Sequence, residues 1–271
     1  MLKALIFDVD GTLADTESAH CAAFNQAFAQ FGLGWHWDDT LYIELLKVTG
    51  GRERILHYIK TARPELSAFA TLGFEASLKR LFELKTEAYV RSVHAGAVEM
   101  RPGVLELILQ ARAQGLVLAI ATTTSPPNVA ALLSRALGPR WREQFAAVGD
   151  GASARVKKPD PQVYLDVLQA LQLPPTQCLA MEDSGNGLRA ACAAGIPTVI
   201  TPTRYTAHDN FDAALRVVKD LSQVDLAHLH RWHAQGQPVS CSTRDQPHDE
   251  LTPFIRSRTA PDAYGGYCSV M

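Results

Sequence analysis

Long hydrophobic runs are missing from this 271-residue chain. Its first apolar stretch, residues 2–7, is broken by Lys3 and stopped by Asp8, too short for a membrane span or a secretory signal. A cytoplasmic protein with no membrane partner is therefore expected. A dominant charge is missing as well. The 26 Lys and Arg against 28 Asp and Glu give a formal charge of −2, so no broad basic field exists to hold nucleic acid, which is not an expected partner. Cysteine pairing is absent in pattern: Cys21, Cys178, Cys192, Cys241 and Cys268 are scattered, with no Cys-x-x-Cys to suggest zinc or dithiol chemistry. They are read as reduced thiols, Cys178 and Cys192 being small hydrophobes within apolar stretches. No repeat recurs at solenoid or propeller spacing.

What is present is globular material. Hydrophobic residues make up 47% and charged residues 20%, enough chain and core for one α/β domain with an inserted subdomain. Short apolar runs at 2–8, 116–122, 178–183 and 196–201 end in polar residues and read as buried parallel strands. Helical patterns at 104–114, 129–137, 161–171 and 187–194 separate them, which favours right-handed crossovers in a parallel sheet. Between the first strand and the helix after Pro102 lies a segment of helical periodicity, including 19–31 and 78–93. Inserted there, it would hang over the carboxyl ends of the strands, where open α/β sheets bind ligands. The expected division is a core at 1–15 and 96–235, a helical cap at 16–95, and a poorly ordered tail at 236–271, where the pattern fades into Gln, Pro, Ser, Thr, Asp and His.

Chemistry-bearing residues sit at the strand ends. Asp8 and Asp10, in Asp-Val-Asp-Gly-Thr, follow the first strand, and Gly11 lets the backbone turn so that both carboxylates reach one site. Asp-Gly is also ordinary turn chemistry. Thr122, Thr123 and Thr124 follow the second strand, where a hydroxyl can bond a phosphate oxygen at the head of a helix or simply cap the helix near Pro126 and Pro127. Lys158, directly before Pro159, is held by a restricted backbone and can offset phosphate charge, whereas Lys157 is expected to be exposed. Glu182 and Asp183 end a further apolar run and suit a divalent cation with oxygen ligands, Asp183 as ligand and Glu182 orienting a metal-bound water.

The four elements in this order resemble the four motifs of the haloacid dehalogenase superfamily, over residues 2 to roughly 220. The resemblance implies a Rossmann-like parallel sheet with an all-helical cap, of the branch that holds beta-phosphoglucomutases and phosphoglycolate phosphatases. It implies Asp8 as nucleophile, Asp10 as general acid and base, Thr122 and Lys158 as phosphate-binding catalytic groups, and Mg²⁺ on the carboxylates of Asp8 and Asp183 and the main-chain carbonyl of Asp10. In the cap it implies substrate contacts from Thr16, Glu17 and His20, from the Thr49-Gly50-Gly51-Arg52 loop and from Lys85. Thr123, Thr124 and Asn128 are further substrate-side positions. Two cap cations, Arg52 and Lys85, suit a bisphosphate.

The Thr-Gly-Gly-Arg, Ala-Thr-Thr-Thr-Ser-Pro-Pro-Asn and Glu-Asp-Ser-Gly-Asn-Gly segments are similar to the CbbY group, phosphatases for the rubisco-inhibiting misfire product xylulose-1,5-bisphosphate. A small sugar phosphate would then be the partner of a monomeric enzyme, cytoplasmic or serving a plastid or carboxysome-associated pathway. A mutase using the same aspartates is the near alternative, although Thr12 after Asp-Gly is the residue type of the phosphatases. A non-catalytic phosphosugar-binding regulatory module is the distant one, against which the intact Asp8, Asp10, Lys158 and Asp183 argue.

Overall fold

The computed structural model describes residues 1–236. The expected tail lies outside the described residues apart from Gly236. Six parallel strands form one sheet in the order β3-β2-β1-β4-β5-β6. They are β1 (Ala4–Phe7), β2 (Val117–Ala121), β3 (Ala147–Gly149), β4 (Cys178–Glu182), β5 (Thr198–Ile200) and β6 (Arg216–Val217). β3 and β6, of three and two residues, were not among the expected strands; β5 is as short as β3 but is fully buried and lies within the apolar run 196–201.

Side chains alternate across the sheet and build two unlike faces. Leu5, Phe7, Leu118, Ile120, Leu179, Met181 and Val199 point into one cluster, packed by α5 (Val104–Ala113), α6 (Pro126–Leu137) and α9 (Leu226–Gln235). Ala4, Ala119, Ala121 and Ala180 face the other way and admit α7 (Gln162–Leu171) and α8 (Gly185–Ala193) closely, against Val163, Tyr164 and Val167.

The insert after β1 is entirely helical: α1 (Glu17–Phe31), α2 (Asp39–Leu46), α3 (Gly51–Ala62) and α4 (Phe74–His94). α1 packs along α4. Their cluster is rich in rings, with Phe24, Phe28, Trp35, Trp37 and Tyr42 stacked edge and face. Tyr205, which follows β5 in the core, also enters this cluster and meets the Tyr42 ring edge-on at 6.1 Å. Among the described residues no helix is long and apolar enough to cross a membrane.

Candidate active site

The pairing register brings the chemistry together. β1 lies between β2 and β4, and Phe7 opposes both Ile120 and Met181, so Asp8 comes level with Ala121 and Glu182, with Thr122 one residue further on. The Asp8 N–H donates to Met181 O at 3.0 Å. Gly11 then turns the chain at φ +75°, and a Cβ there would stand 2.2 Å from Asp183 Oδ2. Only glycine fits both the conformation and the space.

Lys158 is buried at the centre. Its Nζ donates to Asp8 Oδ1 at 2.8 Å, Glu182 Oε1 at 2.6 Å and Ala121 O at 2.8 Å, and it lies over the Tyr164 ring. Tyr164 donates to the same Glu182 oxygen at 2.5 Å. Flanking carboxylates hold the Lys158 ammonium above its ordinary range despite its burial. Burial pushes Asp8 up to about 7 even though Lys158 opposes it, and burial plus the charges of Asp8 and Glu182 push Asp183 well up. Carboxylate oxygens of Asp8, Glu182 and Asp183 lie within 4.8 Å of one another. Glu182 Oε2 is buried with no hydrogen-bond partner, and a Cβ at Gly187 would press to within 1.9 Å of it. Three buried carboxylates with an orphaned oxygen and one ammonium between them fit a hard divalent cation such as Mg²⁺.

Asp10 is turned away from that cluster. Its Oδ1 is 3.1 Å from His20 Nε2, and its Oδ2 accepts from Thr124 Oγ1. His20 Nδ1 is in turn 2.8 Å from Lys85 Nζ, and its ring stacks on Tyr89 at 3.9 Å. An ammonium can only donate, so Nδ1 accepts, and Nε2 must carry the proton donated to Asp10. Burial and the Lys85 charge hold His20 below its ordinary range, which keeps it neutral in this tautomer. Burial works against ionising Asp10, but His20, Thr16 and Lys85 outweigh it and hold the carboxyl below its usual value. Lys85 is lowered to about 8 by burial.

Several cap positions differ from expectation. Arg52 is half-exposed and paired with Glu75 at 2.9 Å. Arg54 is buried instead and donates to Leu45 O at 3.1 Å, Val48 O at 3.3 Å and Tyr42 OH at 3.0 Å. α3 begins at Gly51, and two residues along a helix turn a side chain to the opposite face, which the Thr-Gly-Gly-Arg string does not reveal. Lys85 is buried behind His20 instead of open to a phosphate, and Thr124 serves Asp10. Lys157 is half-buried and donates to Ala154 O at 3.0 Å, so it is not simply exposed. Gly51 provides clearance: a Cβ there would meet the Phe82 ring at 2.8 Å.

The other positions surround the cleft. Glu17 accepts from Tyr42 OH at 2.7 Å. The buried Thr12 hydroxyl and the Asn128 Oδ1 have no protein partner, and the buried Thr16 hydroxyl faces Asp10. The Thr122 hydroxyl accepts the Thr124 N–H at 3.3 Å and keeps its own proton available, and Thr123 is half-buried beside it. Reading the sequence missed Arg54, Tyr42, Tyr89 and Tyr164. Of these only Tyr89 left a signal, one helical turn after Lys85 on the same face.

The family model of haloacid dehalogenase-like hydrolases matches residues 2–195. The plasmid-encoded protein CbbY of Cupriavidus necator is 50% identical over 248 residues, covering 86% of this chain and 97% of its own. The crystal structure of CbbY from Rhodobacter sphaeroides in complex with phosphate superposes with a TM-score of 0.79 at 40% identity, covering 85% of this chain and all of the other. A mutant of that protein, in complex with xylulose-(1,5)bisphosphate, matches with the same TM-score over 84% of this chain and 99% of its own. A buried lysine between strand-end carboxylates, roofed by a helical insert, is thus found in a chain that belongs to the haloacid dehalogenase-like hydrolases, as a helical-cap phosphatase similar to CbbY.

Proposed function

We propose that the chain is a magnesium-dependent phosphatase for a sugar bisphosphate, with xylulose-1,5-bisphosphate as its substrate. The observation that carries this reading is the Lys158 bridge between Asp8 and Glu182 beneath the cap. Its ammonium fixes the Asp8 carboxylate and leaves positive charge where a phosphate dianion must approach an anion. The complex of the 40%-identical relative with xylulose-(1,5)bisphosphate supports the choice of sugar.

An Asp8 oxygen attacks phosphorus, the ester oxygen leaves with its bonding pair, and an aspartyl-phosphate forms. Asp10 gives that oxygen its proton, then takes one from the water that attacks the phosphoenzyme, releasing inorganic phosphate and restoring Asp8. In the free protein Asp10 is ionised, the form needed for the second half. The proton for the first half is taken up as the substrate's negative charge arrives beside it. Lys85 holds His20 in the tautomer that donates to Asp10, which fixes the carboxylate's direction in both halves. Thr122 donates its free hydroxyl proton to a phosphate oxygen. Asp8, Asp183 and the Asp10 carbonyl would hold Mg²⁺, with Glu182 beside them, and the ion would neutralise phosphate charge.

The same reading makes this a cytoplasmic, monomeric enzyme of carbon-fixation repair. Phosphate release by the full chain from xylulose-1,5-bisphosphate tests it: one inorganic phosphate per sugar, abolished by EDTA and restored by Mg²⁺. No release from any phosphorylated sugar, or an isomeric sugar phosphate formed without release as a mutase would give, overturns it.

A further inference from the structure

Asn186 stands on the core but bonds the cap. It is the second residue of α8, in the turn that carries Glu182 and Asp183. Its Nδ2 donates to Lys47 O at 3.1 Å and to Thr49 Oγ1 at 2.9 Å, both in the loop joining α2 to α3. Its Oδ1 accepts from Arg189 Nη2, one turn along the helix. A guanidinium only donates, so the amide oxygen must face Arg189 and both amide protons must face the cap.

Each side of this contact is anchored separately. Beneath Asn186, the Ser184 side chain accepts the Gly187 N–H at 3.1 Å and Asp209 accepts the Gly185 N–H at 2.7 Å, which ties the turn to the core. Across the cleft, Val48 stands between the two bonded residues, and its carbonyl accepts from Arg54. Arg54 continues through Tyr42 to Glu17 at the entrance of α1. One neutral side chain therefore joins the acidic turn of the core to the polar chain of the cap.

We propose that Asn186 is a positioning residue that latches the closed cap onto the core, acting through residues 47–49 on Arg54 and Glu17 without touching the reacting phosphate. The latch rests on the phosphatase reading in one respect, that turnover requires the cap to close. Its two hydrogen bonds lie at the solvent-facing rim and involve no charge on the donor, so each is weak enough to break in every cycle. Losing them lowers the population of the closed, binding-competent form, which weakens apparent substrate affinity in proportion and leaves the chemical step alone.

The test uses the full-length protein with Mg²⁺ and the variants Asn186→Ala, Asn186→Leu, Thr49→Val and Asn186→Ala with Thr49→Val. Asn186→Leu keeps the approximate shape of the side chain without its donor. Hydrogen exchange of the amides at 46–51, measured without substrate, accelerates several-fold in the Asn186 variants while strand β4 exchanges as in wild type. On xylulose-1,5-bisphosphate and on p-nitrophenyl phosphate, KM rises about three- to tenfold with kcat within twofold, and the double variant is no worse than Asn186→Ala. Unchanged exchange at 46–51, additive losses in the double variant, or a fall in kcat at constant KM would overturn the latch. Failure of xylulose-1,5-bisphosphate alone, with the exchange result intact, would overturn the substrate and spare the latch.

Discussion

At the carboxyl ends of β1 and β4 the core buries three carboxylates around one ammonium, whereas the cap buries an ammonium and a guanidinium among rings and main-chain carbonyls. The first arrangement leaves negative charge in excess and an oxygen without a partner. The second leaves positive charge in excess, with Lys85 over the Phe24 and Tyr89 rings and Arg54 held by the Leu45 and Val48 carbonyls. Buried charge of one sign is costly unless something offsets it. The core therefore suits a cation such as the proposed Mg²⁺, and the cap suits the anionic or hydroxyl-rich substrate proposed for it. The two regions differ in stakes as well. On the proposed function, core residues face the bond that breaks, while His20 and Lys85 of the cap act on it through Asp10.

The largest expected effect lies in the core. Asp8→Asn removes the proposed nucleophile while leaving a near-isosteric side chain beside Lys158, and kcat should fall by about 10⁴-fold or more. A phosphate-release assay on purified protein measures it. Turnover within a hundredfold of wild type would remove Asp8 from the role of nucleophile.

In the cap, Lys85→Met should separate activity from stability. Without the ammonium, His20 Nδ1 is free to carry the proton, Nε2 no longer donates to Asp10, and kcat falls about ten- to a hundredfold. Stability should rise. The folded-state pKa of Lys85, about 8, lies below the ordinary lysine value of 10.5, so the unfolded chain binds more protons between those values. The penalty for holding the charge is complete below pH 8 and fades as the pH rises towards 10.5. Lys85→Met should accordingly gain about 1–3 kcal/mol at pH 7 and progressively less above pH 8. Urea denaturation at pH 7 and pH 9.5 reads this difference. A gain that grows with pH would show that Lys85 is not a buried charge.

Arg54→Met should do the reverse. It leaves the Leu45 and Val48 carbonyls without their donor and loosens Tyr42 beside Glu17, which should cost about 2–4 kcal/mol of stability and raise KM more than it lowers kcat. Denaturation midpoints and steady-state kinetics report the two parts. An unchanged midpoint would mean that the guanidinium is not holding the α2–α3 loop.

The same contrast separates what the sequence discloses from what it hides. Asp8, Glu182 and Asp183 are legible because they end or follow apolar strands, and Lys158 because it stands directly before Pro159; with Thr122 after β2 they mark the four motifs in order. The bond between Lys85 and His20 spans 65 residues and exists only because α1 packs on α4, so a list of cap cations records Lys85 without its partner. Arg52 and Arg54 both follow the same glycine pair, and helix phase alone decides which one faces inward. Neither β3 nor β6 carries enough residues to alternate. Tyr205 joins the cap cluster from beyond β5, a contact of tertiary origin with no local mark.

The smallest expected effect sharpens the comparison within the cap. Arg52→Ala removes a cation whose side chain is 44% exposed and whose partner, Glu75, is 77% exposed. Exposed pairs of this kind contribute about 0–1 kcal/mol, because water screens the attraction and two long side chains lose freedom in making it. Stability should therefore change by no more than about 0.5 kcal/mol, and kcat/KM should stay within about twofold on both xylulose-1,5-bisphosphate and a pentose monophosphate. If Arg52 instead swings from Glu75 to a distal phosphate when the cap closes, the charge-assisted contact is lost on the bisphosphate alone, a selective drop of about ten- to a hundredfold. Measuring both substrates with Arg52→Ala and Arg54→Met assigns the distal contact. A loss confined to the bisphosphate in Arg52→Ala would return that role to the exposed arginine, and equal small effects would leave Arg52 with no part in substrate binding.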